Sequence, residues 1–245
     1  MRQLEDLTGI KIGGRNINNI RYADDTALVD RIVQESDAKG LKINITKTQV
    51  MVVSKSDRSI PVSISIEGQV LKQVSSFKYL GKWITKEAKC ETDIKSRIVQ
   101  AKKTFDKTKH LIGNTSISTG LRMRFIKSYI WCTLLYGCES WTISKAMRKN
   151  LEAAEMWFLR RMLRISWVER VTNERVLQRA GCGRELLRSI RQRQLKFLGH
   201  AMRQSQLESV CLTGKLERKR GRGRPRMKFL DSLAIVQQPG YSPKL

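Results

Sequence analysis

The chain has 245 residues, enough for one large or two small domains, and its 40% apolar content can build a core, which excludes global disorder. Lys and Arg number 48 against 22 Asp and Glu, a net charge of +26, and such an excess favours a polyanionic partner through counterion release. Met1-Arg2-Gln3-Leu4-Glu5-Asp6 is too polar and acidic for a secretory leader, and the most apolar run, residues 129–138, is too short to span a bilayer, so nucleus or cytoplasm is expected rather than secretion or a membrane.

Tyr22-Ala23-Asp24-Asp25 lies between the apolar residues Ile17 and Ile20 on one side and Ala27, Leu28 and Val29 on the other. This reads as a β-hairpin with two adjacent carboxylates at its tip. Two carboxylates on a stiff turn suit a hard cation such as Mg²⁺, which can activate a hydroxyl and stabilise a leaving phosphate oxygen. A solvated Asp-Asp turn is the competing reading. Downstream, Leu41, Ile43 and Ile45 alternate with polar residues as one face of a sheet would, and Val50-Met51-Val52-Val53 reads as an apolar strand. Ile64 and Ile66 alternate likewise before Glu67-Gly68-Gln69 turns the chain toward Val70.

From Asp93 the period changes. Ile94, Ile98, Ala101 and Phe105 are spaced as one face of a helix. Leu121, Phe125, Tyr129 and Thr133 predict a second helix after Thr119-Gly120. Leu151, Ala154, Phe158, Met162 and Ile165 predict a third, with Arg160, Arg161 and Arg164 on its other faces. A fourth is expected from near Glu185 past Leu198. The fold class is therefore α+β, a small sheet followed by a helical region, with no internal repeat.

Positive charge concentrates late. Residues 141–230 carry 23 Lys or Arg and seven Asp or Glu, a balance of 23 − 7 = +16. Carboxylates for ordinary i,i+4 pairing are scarce, so an anionic partner would relieve the repulsion. Arg218, Lys219, Arg220, Arg222, Arg224 and Arg226 put six cations in nine residues, with two glycines and a proline, in a stretch expected to be extended. Arg222-Gly223-Arg224-Pro225 is similar to the core of minor-groove AT-hook peptides, and a plain basic tail is the alternative. The five cysteines, Cys90, Cys132, Cys138, Cys182 and Cys211, form no Cys-x-x-Cys pair and fit reduced thiols.

An ordered series of blocks runs through the chain: Tyr22-Ala23-Asp24-Asp25, Gly40-Leu41-Lys42-Ile43-Asn44, Lys47-Thr48, Phe77-Lys78-Tyr79-Leu80-Gly81, Ile94-Lys95-Ser96-Arg97-Ile98, Leu135-Tyr136-Gly137-Cys138-Glu139-Ser140-Trp141, Arg160-Arg161-Met162-Leu163-Arg164, Phe197-Leu198-Gly199-His200 and Gly221-Arg222-Gly223-Arg224-Pro225-Arg226. The series resembles the later part of the reverse transcriptase of non-LTR (LINE-like) retrotransposons. The resemblance implies a partial palm over residues 1–85, a helical thumb-like region over 86–170 and a basic helical or extended region over 171–245. It implies RNA-templated nucleotidyl transfer, with an RNA template and a DNA primer or duplex as partners. Asp24 and Asp25 would then be metal ligands for Mg²⁺, and Lys47 would face the leaving pyrophosphate. Tyr22 would pack near the templated sugar and base, while Phe77, Lys78, Tyr79 and Gly81 would form the turn gripping the primer end. Arg160, Arg161, Arg164 and the arginine-rich stretch 218–226 would contact nucleic acid. By side-chain type alone, Tyr22, Phe77 and Tyr79 also suit sheet core, Lys47 a solvated turn, and Gly81 mere turn closure.

Two departures accompany the resemblance. The chain starts just before the hairpin, so the strand with the family's third aspartate is expected to lie outside it. The helix that usually precedes Gly40 is expected to be shortened to Asp30–Lys39. On this reading the chain is inactive by itself and would need the missing N-terminal part of the polymerase as a partner. A non-catalytic nucleic-acid-binding protein using the thumb and basic tail is the alternative.

Overall fold

The computed structural model describes residues 10–12, 15–17, 19–22, 25–28, 39–53, 61, 63–66, 68–203, 212 and 229–234, the first four stretches in backbone only. The chain divides into two units, Met1–Lys89 with Gln204–Arg226, and Cys90–Arg203 with Met227–Leu245. The class is α+β, as the change of period near Asp93 predicts.

The first unit is built from short strand pairs. β1 (Ile10–Ile12) pairs antiparallel with β2 (Arg15–Ile17), and β3 (Asn19–Tyr22) with β4 (Asp25–Leu28). β5 (Gln49–Val50) lies parallel to β8 (Lys72–Gln73). Between them, β6 (Ser65–Ile66) and β7 (Gln69–Val70) form a hairpin around Gly68, whose φ of 77° fits the turn expected there. β9 (Ser76–Tyr79) and β10 (Lys82–Thr85) close the unit's described part with another hairpin.

The strand expected across Leu41, Ile43 and Ile45 is not formed. Asn44 turns the chain instead: its Oδ1 accepts from the Lys47 N–H at 3.1 Å and the Thr46 hydroxyl at 2.7 Å, while its carbonyl accepts from the Thr48 hydroxyl at 2.8 Å. An Asn side chain that mimics a backbone turn outcompetes a three-residue apolar alternation. The strand expected over 50–53 is confined to Gln49–Val50.

The second unit is helical and holds a continuous core. α1 (Glu91–Ile112) buries Ile94, Ala101, Phe105 and Ile112. α2 (Thr119–Phe125) runs through a π-helical turn, Ile126–Ile130, into α3 (Trp131–Leu134). A 3₁₀ turn, Cys138–Ser140, leads to α4 (Lys145–Met162). A second 3₁₀ turn, Trp167–Glu169, precedes α5 (Asn173–Ala180) and α6 (Leu186–Arg203); α7 is Phe229–Ala234. α1 packs on α3 and α4, and α4 packs on α5 and α6. Phe105, Trp157 and Phe158 meet with ring centroids 5.2–5.6 Å apart.

The helices over 91–112, 145–162 and 186–203 match the apolar spacing, but the face expected for 121–133 is wrong. Leu121 and Tyr129 are 55% and 54% exposed, whereas Met123, Ile126, Ile130 and Leu134 are buried. Both stripes carry apolar residues, and the buried one is headed by Arg122, whose charge disguises it. Arg122 is tolerated because Nη1 donates to Met162 O at 2.9 Å and Ile112 O at 3.5 Å. Those carbonyls end α4 and α1, where a cation satisfies orphan acceptors and complements both dipoles.

A second polar joint ties the block 135–141 into the core. The buried Trp141 Nε1–H donates to the buried Asp93 Oδ2 at 2.8 Å. Gln194 Nε2 on α6 donates to Trp141 O at 2.9 Å and Cys138 O at 3.2 Å. Thus one 3₁₀ turn is gripped from α1 and from α6.

Candidate nucleic-acid interface

In the first unit, β3 and β4 pair with Tyr22 opposite Asp25. The antiparallel pairing expected around the acidic tip is present, and Asp25 opens the outgoing strand. Asp24 lies outside the described residues, as do the side chains of Tyr22 and Asp25. Two carboxylates adjacent in sequence fit a hard divalent cation in donor chemistry. Among the described residues no group of three His, Cys, Asp or Glu side chains is placed to hold a metal ion.

Lys47 is exposed on the turn that Asn44 closes. The parallel pairing of β5 with β8, continued by the Val74 N–H donating to Val50 O at 2.8 Å, runs the segment after Lys47 beside the one leading to Phe77. The β9–β10 register places Phe77 opposite Ile84 and Lys78 opposite Trp83. Phe77 and Lys78 are exposed and Tyr79 is half-buried. Leu80 and Gly81 form the two-residue loop at φ values of 50° and 75°. Positive φ at both positions is the turn whose twist matches the flanking strands, and it favours glycine. Gly81→Ala is therefore expected to destabilise the unit by about 1–2 kcal/mol, read as a lower urea midpoint. An unchanged midpoint would show that this turn is not held in the left-handed region.

In the second unit the arginines gather at the end of α4. Arg160 Nη2 donates to Val171 O at 2.7 Å and to Asn173 Oδ1 at 3.0 Å, bracing the segment that leads into α5. The Arg161 guanidinium lies 4.3 Å from the Trp157 ring centroid, on a ring that Lys102 Nζ also approaches at 5.0 Å. Arg164 adopts φ 55° just past the helix end. There the Ile165 N–H donates to Arg160 O at 2.9 Å and the Arg164 N–H to Arg161 O at 3.2 Å, the paired bonds of a Schellman cap. Arg161 and Arg164 are exposed and Arg160 is half-buried. The remaining expected contacts, Arg218, Lys219, Arg220, Arg222, Arg224 and Arg226, lie outside the described residues.

Over residues 90–203 there are 24 Lys or Arg and nine Asp or Glu, a balance of 24 − 9 = +15. Carboxylates are too few to neutralise this surface. The ion pairs described here join Lys127 to Glu185, Arg148 to Glu152, Arg179 to Glu169 and Arg193 to Glu139. Lys127, Glu185 and Arg193 also line an open groove of about 760 Å³ with Trp131, Ser189 and Lys196.

One carboxylate is diverted inward. Glu155 on α4 is buried, and its Oε1 accepts from the Glu185 and Leu186 N–H groups at 2.8 Å each, capping α6. Burial pushes its pKa above the ordinary 4.5, more than the two backbone donors and Arg184 pull it down. The fold thus prefers the protonated form. Glu155 contributes stability below pH 4.5, and that contribution fades as pH rises through its raised folded value. Stability of the wild type relative to Glu155→Gln is expected to fall over this window. A flat difference curve from paired thermal melts would refute the assignment.

Sequence reasoning missed Trp167 and Val168, which are 92% and 84% exposed. The signal was present: Ser166 followed three residues later by Glu169 is a capping-box pattern, here enclosing an apolar pair. The described cysteines Cys90, Cys132, Cys138 and Cys182 are free thiols, and among the described residues no helix is long and apolar enough to cross a membrane.

The helical unit presents a basic surface, and the strand unit, taken by itself, carries an antiparallel pair whose outgoing strand opens on Asp25. An uncharacterised protein of Caenorhabditis elegans, described as transposon-derived, is 26% identical over 244 residues, covering 91% of this chain and 86% of that protein. No protein-family model matches the chain, and no solved structure matches it.

Proposed function

We infer that this is a transposable-element protein of reverse-transcriptase descent whose helical unit binds nucleic acid. The likeness to a transposon-derived protein supports the origin, and the ordered sequence blocks support the polymerase lineage. The observation that carries the binding is the 24-to-nine excess of cations over carboxylates on a unit with its own buried core. A duplex or RNA–DNA hybrid suits such a surface, because phosphates supply the missing counter-charge.

On the same reading Asp24 and Asp25 would hold Mg²⁺, which when bound supplies charge stabilisation to phosphoryl oxygens. Lys47 would then meet a pyrophosphate. Tyr22, Phe77, Lys78, Tyr79 and Gly81 would contact the nucleotide and primer end, and the basic stretch 218–226 would add phosphate contacts. Binding without catalysis is the second reading, favoured by the helical unit's self-contained core. Fluorescence anisotropy with a labelled RNA–DNA hybrid in 50 mM salt tests binding; no association would defeat the proposal. Primer extension on an RNA template separates the two readings: synthesis lost in Asp24→Asn establishes the polymerase, and binding without synthesis establishes the binder.

A further inference from the structure

Trp167 crowns a turn that is fixed at both ends yet leaves its indole in solvent. Upstream stands the Schellman cap at Arg164. Within the turn, Ser166 Oγ accepts from the Val168 N–H, and Glu169 Oε1 accepts from the Ser166 N–H at 2.7 Å. Downstream, Arg170 takes φ 48° and the Arg160 guanidinium holds Val171 O and Asn173 Oδ1. Two arginines in left-handed backbone, where glycine would be cheaper, bracket an almost fully exposed Trp-Val pair.

The surroundings define what this apex can meet. Residues 160–179 carry six arginines and two glutamates, 6 − 2 = +4, and Arg161, Arg164, Arg170, Arg175 and Arg179 are exposed. Glu169 is committed to the capping box and lies 3.8 Å from Arg179. An exposed apolar ring on a segment rich in exposed arginines complements a base with its attached phosphates. A duplex covers the faces of its bases, whereas an unpaired base offers a free π-face for stacking.

We propose that Trp167 is a stacking platform for an unpaired base whose phosphates meet the exposed arginines of the same segment, so that the helical unit grips single-stranded nucleic acid or the unpaired side of a duplex junction. This rests on the nucleic-acid reading above and specifies which form of nucleic acid one face of the unit takes. The capped backbone of the turn matters, because a main chain that is already ordered loses less freedom on binding.

The test compares wild type with Trp167→Ala and Trp167→Phe by anisotropy, using a labelled single-stranded 20-mer and a blunt duplex of the same length. Trp167→Ala is expected to lower the ratio of single-strand to duplex affinity by about 5- to 150-fold, with Trp167→Phe recovering most of it. Single strand should also quench tryptophan emission in wild type more than in Trp167→Phe. An unchanged ratio in Trp167→Ala would overturn the proposal, as would self-association abolished by that variant with single-strand affinity intact, which would make the apex an interface between copies. If wild type binds hybrid but not single strand, this inference fails while the broader one stands; binding to neither defeats both.

Discussion

Raising monovalent salt from 50 to 200 mM is expected to weaken binding to a duplex or RNA–DNA hybrid by about 10³–10⁵-fold, corresponding to six to ten neutralised phosphates. The helical unit has the charge for this even after its internally engaged cations are set aside. Arg122 is spent on helix-end carbonyls, Arg160 on its loop, and Arg97 lies 4.5 Å from the Tyr136 ring centroid. Lys127, Arg148, Arg179 and Arg193 face carboxylates, and Arg161 and Lys102 share the Trp157 ring. Setting these nine aside leaves 24 − 9 = 15 Lys or Arg over residues 90–203. That exceeds what six to ten contacts require. A titration of log affinity against log salt checks the claim, with an expected slope of about −0.9 per phosphate on a duplex. A flat line would mean that the positive surface does not meet the phosphate backbone.

The largest expected stability effect is at the joint between Trp141 and Asp93. Trp141→Ala removes a fully buried indole and leaves Asp93 without its 2.8 Å donor. Large-to-small core truncation of this kind costs about 3–5 kcal/mol. Loss of the hydrogen bond to Asp93 adds about 1 kcal/mol. Since a typical domain is stable by only about 5–15 kcal/mol, most of the helical unit's margin should disappear. Trp141→Phe keeps much of the ring and isolates the hydrogen bond, so it should cost less. Denaturant midpoints for these variants, with Asp93→Asn and the double variant, measure the coupling. Strict additivity of Trp141→Phe and Asp93→Asn would show that the two side chains do not act together.

Much of the helical unit was legible in its apolar period. Ile94, Ala101 and Phe105 line the buried face of α1, and Leu151, Ala154, Phe158 and Met162 line that of α4. Periodicity failed at 121–133 because two neighbouring stripes were both apolar, and the buried one begins with a charge. Only the positions of two distant carbonyls explain why Arg122 belongs inside. The π-helical turn at Ile126–Ile130 was equally invisible, since it changes which residues line up without changing their composition. Strand alternation over 41–45 was too short to outweigh the local bonds of Asn44.

The candidate site divides in the same way. The turn at Gly81 was foreshadowed by the glycine, and the strand pairing around Tyr22 and Asp25 by the apolar flanks, whereas the positive φ at Leu80 and the register were not. The different duties of Arg160, Arg161 and Arg164 were not, because one motif of three arginines carries no sign of which turns inward. Block 135–141 shows the same limit: its residues stood out as a motif, yet their work as a clamp between α1 and α6 depends on Asp93 and Gln194, which are far away in sequence.

Arg122 carries one last consequence. A single guanidinium seals the carboxyl ends of two helices that are separate in the chain. Fraying of either terminal turn strips hydrogen bonds from the plug that holds the other, so the two ends unravel as one event. Local opening at Ile112 is thereby felt at Met162, and the long helices behave as a latched pair rather than as independent rods.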